Sequence, residues 1–383
     1  MNRFKEQLEE RKLHHLYRSR RISETPQQNE MIIDGKKVIN FCSNDYLGLA
    51  NHPAIKKAFI KGVEKYGVGS GSAHLVNGHS IAHHQLEEQL AKFTGYPRAL
   101  LFSTGYMANL GLSQALVGRG DTVIEDRLNH ASLIDGGLLS GARLMRFKHG
   151  DINDLEQKLK ARETGEKLVM SDAVFSMDGD IADVKNLAGI SKKHKAWLML
   201  DDAHGFGVLG NNGKGILEYT NTTQTDVPIY MATLGKAIGT AGAFISGSEE
   251  LIETLIQNAR SYIYTTAQPP AIAMATLESL RLIKEEPQHR EKLQSNITYF
   301  KTIAKQLNLP LHGSDTAIQP LIIGAVEQTV KLSAHLFKKG FLVTAIRPPT
   351  VPEGTARLRI TLSATHSKSQ IEQLVEHIAH QMK

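Results

Sequence analysis

The chain has one cysteine, Cys42, so no intramolecular disulfide framework can form. The reading of Cys42 is a small packed residue in a reducing compartment, the cytoplasm. No apolar run approaches the ~20 residues that cross a bilayer, so no membrane partner is expected. The opening Met1-Asn-Arg-Phe-Lys-Glu-Gln-Leu-Glu-Glu10 also lacks the apolar core of a secretory signal. Excess charge is confined to one place. Residues 1–21 hold seven Arg and Lys against three Glu, most of the formal net +6, which leaves the rest near neutral. There is no basic stripe with interleaved aromatics, no helix-turn-helix pattern and no zinc spacing, so neither nucleic acid nor a metal is expected. Internal repeats and low-complexity segments are also missing.

The chain does contain a regular alternation. At 383 residues it exceeds the size of a single hydrophobic core, and 41% hydrophobic with 22% charged residues is ordinary for a globular protein. Residues 1–21 read as a charged amphipathic helix ending at Arg18-Ser-Arg-Arg21. After the turn at Asp34-Gly35 comes a strand, Lys37–Phe41, and Pro53 introduces a helix; residues 1–50 form an arm. Over 51–284, short apolar runs (99–102, 122–124, 168–170, 196–200, 229–232) alternate with helical segments. This predicts an α/β domain built on a mainly parallel central sheet. Residues 285–383 read as a small α+β C-terminal domain. Its last helix opens with Ser367 and Gln370 at capping-box spacing.

In such sheets ligands bind beyond the carboxyl ends of the strands, and the chemistry-bearing residues lie there. Met231-Ala-Thr-Leu-Gly-Lys236-Ala-Ile-Gly-Thr-Ala-Gly242 joins two apolar strands through a glycine-rich turn around one lysine. Burial disfavours an ammonium, and a neutral amine there can form a Schiff base with an aldehyde such as that of pyridoxal phosphate (PLP). Taken alone, a turn lysine reaching water is the better reading. Ser103-Thr-Gly-Tyr106 follows a strand and opens a helix, which makes either a phosphate cradle or a plain turn. His130, in Asn129-His-Ala-Ser132, reads as a helix cap or as a ring lying on a planar cofactor. Leu200-Asp-Asp-Ala-His-Gly205 places Asp201 at the edge of the core, where a carboxylate requires a cationic or hydrogen-bonding partner. A protonated pyridine nitrogen is such a partner, and His204 can reach the phenolic oxygen of the same ring. A metal at Asp201 is weakly supported with only one histidine nearby.

Taken together, Asn129-His-Ala-Ser132, Phe175-Ser-Met-Asp-Gly-Asp180, Asp201-Asp-Ala-His-Gly205, Thr233-Leu-Gly-Lys236 and Arg347-Pro-Pro-Thr-Val-Pro352 resemble the α-oxoamine synthases, in the same order and over nearly the whole chain. These are PLP-dependent transferases of fold type I, the aspartate aminotransferase-like fold. The resemblance implies that Lys236 carries the cofactor and moves the proton, Asp201 holds the pyridine nitrogen, His204 and Ser176 hold the phenolic oxygen, and His130 stacks on the ring. It places Gly105, Tyr106 and Thr233 around the phosphate and ring. Thr265, with Thr266 as a substitute, would reach the phosphate of the neighbouring subunit, which implies a homodimer with shared active sites. Asn44 and Arg359 match positions near the amino-acid carboxylate, and Arg18 and Thr350 positions along the acyl path. Ser43-Asn-Asp-Tyr-Leu-Gly48, Ala317–Ile322 and Ala345–Pro352 look most like the branch that joins L-alanine to a pimeloyl thioester of CoA or acyl-carrier protein. The branch joining glycine to acetyl-CoA is the alternative, and a non-catalytic partner subunit of the same fold is a weaker one. One departure is that Ser72, Ala73 and His74 stand where the family's glycine-rich loop commonly has small residues.

Overall fold

The computed structural model describes residues 2–162 and 164–382, and Met1 of the expected N-terminal helix lies outside them. Two compact units form. One comprises residues 2–51, 176–180 and 288–382; the other comprises 52–175 and 181–287.

The chain begins with α1 (Asn2–Leu13). The helix expected over 1–21 is therefore shorter, for a visible reason. Phe4, Leu8 and Leu13 are all exposed, so no buried face extends the helix. His15 turns into the left-handed region (φ 56°), and the Tyr17 carbonyl then accepts from the Arg347 guanidinium. Next, β1 (Glu30–Ile33) and β2 (Lys36–Asn40) pair antiparallel through Asp34-Gly35. Both turn residues have positive φ, 50° and 71°, as an Asp-Gly hairpin turn requires.

The α/β unit opens with α2 (Pro53–Tyr66) and α3 (Ile81–Thr94). Seven strands follow: β3 (Arg98–Phe102), β4 (Thr122–Asp126), β5 (Arg143–Phe147), β6 (Lys167–Asp172), β7 (Trp197–Asp201), β8 (Ile229–Thr233) and β9 (Ala243–Gly247). They lie in the order β3-β9-β8-β7-β6-β4-β5, and only β9 runs against its neighbours. The mainly parallel sheet is thus as expected. Its apolar runs are continuous because both faces are covered: Leu168, Val169 and Met170, like Leu198, Met199 and Leu200, are all buried. Two further helices, α4 (Gly105–Leu116) and α5 (Ala131–Leu139), pack on each other. α4 lays Ala108 and Leu112 into a core with Met170, Met199 and Met231. Register sets the strand ends side by side, Asp172 opposite Asp201 and Asp201 opposite Met231.

In the other unit, β10 (Ile318–Gly324), β12 (Thr344–Ile346) and β13 (Ala356–Thr361) form an antiparallel sheet ordered β10-β13-β12, while β11 (Phe341–Leu342) joins β2 in parallel. Helices Gln288–Gln306, Val326–Lys338 and Lys368–Met382 complete it. The last is capped as its sequence predicts: the Gln370 amide donates to Ser367 Oγ (3.1 Å) and the Ser367 amide to Gln370 Oε1 (3.0 Å).

Candidate active site

Lys236 lies in the turn between β8 and β9, half-buried, with Nζ 2.8 Å from His204 Nε2. The turn is tightly tied. Thr233 Oγ1 donates to the Gly242 carbonyl (3.0 Å), the Leu234 amide donates to the same carbonyl, and the Gly239 amide caps back on Lys236 O. Gly242 has φ 99°, and a Cβ there would meet Gln268 Oε1 at 2.7 Å, so only glycine closes this turn. The lysine is thereby fixed on a rigid support at the carboxyl end of β8.

Asp201 closes β7 and is buried. Its Oδ2 accepts from Asn109 Nδ2 (2.8 Å) and its Oδ1 from the Ala203 amide (3.0 Å). Asn109 sits one turn into α4 and also donates to Ser132 Oγ (2.8 Å), so one amide clamps β7 to the start of α5. The adjacent Asp202 takes a different part. It is fully buried, accepts from Tyr230 OH and the Ile216 amide (both 2.7 Å), and burial pushes it up to about 7.

Of the two readings the sequence left open for His130, the structure shows the helix cap. It caps α5, with Nδ1 accepting from the Ser132 amide (3.2 Å) and lying 2.8 Å from Ser132 Oγ, and its ring stands in the field of Asp201 and Lys236. Burial is the largest influence on it and lowers its pKa; Asp201 opposes this and Lys236 adds to it. The His130 amide donates to Asp172 Oδ2 (2.8 Å). Burial, then the nearby Asp201, hold Asp172 well above the usual carboxylate range.

Gly105 and Tyr106 form the first turn of α4, capped by Thr104 Oγ1, which accepts from the Met107 amide (3.1 Å). Tyr106 bonds Asp135 and stands edge-on to His130 with ring centres 6.5 Å apart. A Cβ on Gly105 would come within 2.9 Å of Met231 Cε. Thr265 is half-buried and Thr266 exposed, just beyond helix Arg260–Ile263.

The remaining candidates belong to the other unit. Arg359, buried on β13, donates from Nε to the Ser176 carbonyl, from Nη1 to Thr361 Oγ1 (3.1 Å) and from Nη2 to Asn44 Oδ1 (3.2 Å). Arg18 Nη2 donates to Thr350 Oγ1 (3.3 Å). The structure thus joins Arg359, Asn44 and Ser176 in one group and Arg18 with Thr350 in another. Sequence reasoning missed Asn109 and Asp172. The available signal was a polar residue on the apolar face of α4 and an aspartate ending a buried strand as Asp201 does.

These donors fit PLP. A primary amine can take its aldehyde, and a buried carboxylate already oriented by two donors can take its pyridine N–H. A glycine-led helix N-terminus can take its phosphate. Fold and site define a PLP-dependent enzyme of fold type I: the chain belongs to the class I and II aminotransferase family, whose model matches residues 36–378, and within it to the α-oxoamine synthases. Among its relatives are 8-amino-7-oxononanoate synthases. The one from Thioalkalivibrio sulfidiphilus is 58% identical over 100% of this chain and 98% of its own length; that from Methylococcus capsulatus is 59% identical over 97% and 96%. Among solved structures, serine palmitoyltransferase of Sphingomonas wittichii superposes with a TM-score of 0.94 at 31% identity, over 99% of this chain and 97% of that one. The 8-amino-7-oxononanoate synthase of Francisella tularensis superposes with 0.80 at 35%, over 90% and 98%.

Proposed function

We propose that the protein is an 8-amino-7-oxononanoate synthase of biotin biosynthesis, condensing L-alanine with a pimeloyl thioester of CoA or acyl-carrier protein. The observation that carries this reading is near-60% identity along the whole chain to synthases of that name. In the reaction the alanine Cα bonds to the thioester carbonyl carbon and the C–S bond breaks to release the thiol. The alanine carboxylate leaves as CO2 and a proton takes its place.

Lys236 would hold the cofactor through its amine, and the same amine is placed to remove the alanine Cα proton and later to return one. His204, 2.8 Å from Nζ, keeps the amine aimed and shares its proton. When bound, PLP supplies the sink for the electrons left at Cα. Asp201, fixed by Asn109 and Ala203, would hold the ring nitrogen in its protonated form, and His130, at the start of α5, would lie against the ring. Arg359, held by Asn44 and Thr361, takes the amino-acid carboxylate through its planar fork, and Arg18 with Thr350 flanks the acyl chain. A homodimer in the cytoplasm completes the proposal. Leu75, Val76, Ile81 and Tyr264 are exposed apolar side chains on and beside the 69–80 loop, a surface suited to a second copy that receives Thr265.

The test is thiol release by the PLP-loaded protein in two matched mixtures. Release with L-alanine and pimeloyl-CoA, giving an amino-oxononanoate, is expected. Release mainly with glycine and acetyl-CoA would keep the cofactor chemistry and overturn the substrate assignment.

A further inference from the structure

One cluster of nitrogen ligands takes no part in the chemistry proposed above. His74, His79 and His83 each offer a ring nitrogen, and the three atoms lie within 4.8 Å of one another. The His-x4-His-x3-His spacing is not a familiar zinc spacing, so spacing alone does not point to a metal. The fold brings the residues together by a device that sequence periodicity does not reveal. Residues His74–Gly78 form a single π-helical turn, closed by the Gly78 amide on the Ala73 carbonyl (3.0 Å). The turn is tight enough that a Cβ on Gly78 would lie 2.1 Å from the Ser72 carbonyl. Ser72 Oγ, bonded to both the Asn77 side chain and its amide, braces it from within. Winding the chain this way points His74 Nδ1 at His79 Nδ1, 2.9 Å apart. His83 arrives from the first turn of α3, its ring centre 5.1 Å from that of His74 and 5.8 Å from that of His79.

We propose that His74, His79 and His83 form a binding site for one divalent transition-metal ion of the zinc and cobalt class, which clamps the 72–79 turn to the start of α3. Three imidazoles select such ions over magnesium or calcium, which prefer oxygen. Tetrahedral ligation at 2.0–2.1 Å places ligand nitrogens roughly 3.4 Å apart, longer than the 2.9 Å between His74 Nδ1 and His79 Nδ1 and inside the 4.8 Å that encloses all three. The surroundings have the pattern that orients histidine ligands, in which the second ring nitrogen meets a carbonyl or carboxylate. His83 Nε2 donates to the Gln268 carbonyl (2.8 Å), which leaves Nδ1 as the face with a lone pair. That nitrogen now accepts from the Ser80 amide (3.1 Å) and would exchange this bond for the metal. His79 Nε2 faces Glu87 Oε2 at 3.8 Å, and Glu87 is itself anchored to the Leu101 amide (3.0 Å). His74 lies flat on Tyr262, ring centres 5.1 Å apart and 11° from parallel, which fixes its plane. Within one chain His74 and His83 are buried, while the His79 side chain is 29% exposed. Burial lowers His74 to about 3 and His79 to about 4, so both offer neutral rings near pH 7.

The clamp would reach further than the turn. Ser70 Oγ and His83 Nε2 both hold the Gln268 carbonyl, and the Ala267 amide donates to the Ser72 carbonyl (3.0 Å). A bound ion would therefore stiffen the 70–83 stretch together with the segment that follows Thr265 and Thr266.

The experiment titrates the chelator-treated, PLP-loaded enzyme with Co2+, reading the visible ligand-field bands of four-coordinate cobalt, which lie to the red of cofactor absorption. One equivalent per chain is expected, with bands that Zn2+ erases and Mg2+ does not, and a melting temperature that rises with added metal. His79→Gln, at the most accessible ligand, should weaken binding at least tenfold while melting like the parent in the absence of metal. His312→Gln, an exposed histidine of the other unit, should bind normally. No cobalt bands in the parent enzyme, or bands of equal affinity in His79→Gln, would overturn the site.

Discussion

Lys236 is the residue at which fold and chemistry separate most cleanly. Its backbone is held by the Thr233–Gly242 and Leu234–Gly242 bonds and by the Gly239 amide, none of which involves its side chain. Lys236→Ala should therefore cost no more than the Nζ–His204 bond, about 1 kcal/mol of stability. Turnover should vanish, while cofactor absorbance still co-elutes with the protein. Activity within tenfold of the parent would mean that another group moves the proton. Arg359 presents the opposite case, since its guanidinium is built into the terminal unit by Ser176, Thr361 and Asn44. Arg359→Lys keeps the charge and loses the fork, and hydrogen bonds to charged groups contribute about 1.5–3 kcal/mol. The expected result is a KM for L-alanine raised roughly ten- to hundredfold with the pimeloyl-CoA KM little changed. An equal rise in both would move Arg359 away from the amino-acid carboxylate.

At the scale of the element, the ends of the parallel strands explain what could be read in the sequence. β6, β7 and β8 are covered on both faces, so burial demanded unbroken apolar runs; Asp201 and Thr233 stood out at the ends of β7 and β8, while Asp172, ending β6 in the same way, was passed over. β5 escaped notice because it lies at the sheet edge, pairs only with β4, and leaves Arg143 and Arg146 exposed. Asn109 escaped because its partner Asp201 lies 92 residues away, a contact that only the folded sheet creates. α1 was overextended because charge pattern alone does not say where a helix without a buried face will stop. Buried acids on the strands also make stability depend on pH. Glu125 on β4 is fully buried, with Arg146 Nε 4.0 Å away, and burial raises it to about 7. Its folded pKa lies above the unfolded value of ~4.5, so its contribution is complete below that pH and is lost as pH rises toward 7, by up to about 3 kcal/mol. Glu125→Gln removes this dependence. The variant should match the parent near pH 4.5 and exceed it near pH 8 in denaturant titrations; a constant difference across that range would mean that Glu125 does not titrate there.

At the scale of the whole molecule, the proposed dimer makes a prediction that no single-chain property can imitate. If Thr265 serves the neighbouring subunit's phosphate, a complete site draws Lys236 from one chain and Thr265 from the other. Two variants, Lys236→Ala and the double change Thr265→Ala with Thr266→Ala, should each be impaired alone, the first fully and the second through weakened cofactor binding. When they are unfolded together and refolded, mixed dimers have one site lacking both functions and one site with both intact. Random pairing in a twofold-symmetric dimer makes half the population mixed, so about a quarter of parental activity should return. If both groups instead act within one chain, no mixed dimer contains a complete site, and activity should stay at the average of the two variants. The two outcomes differ at any ratio of the variants, because recovered activity follows the product of their fractions when sites are shared and their weighted mean when they are not.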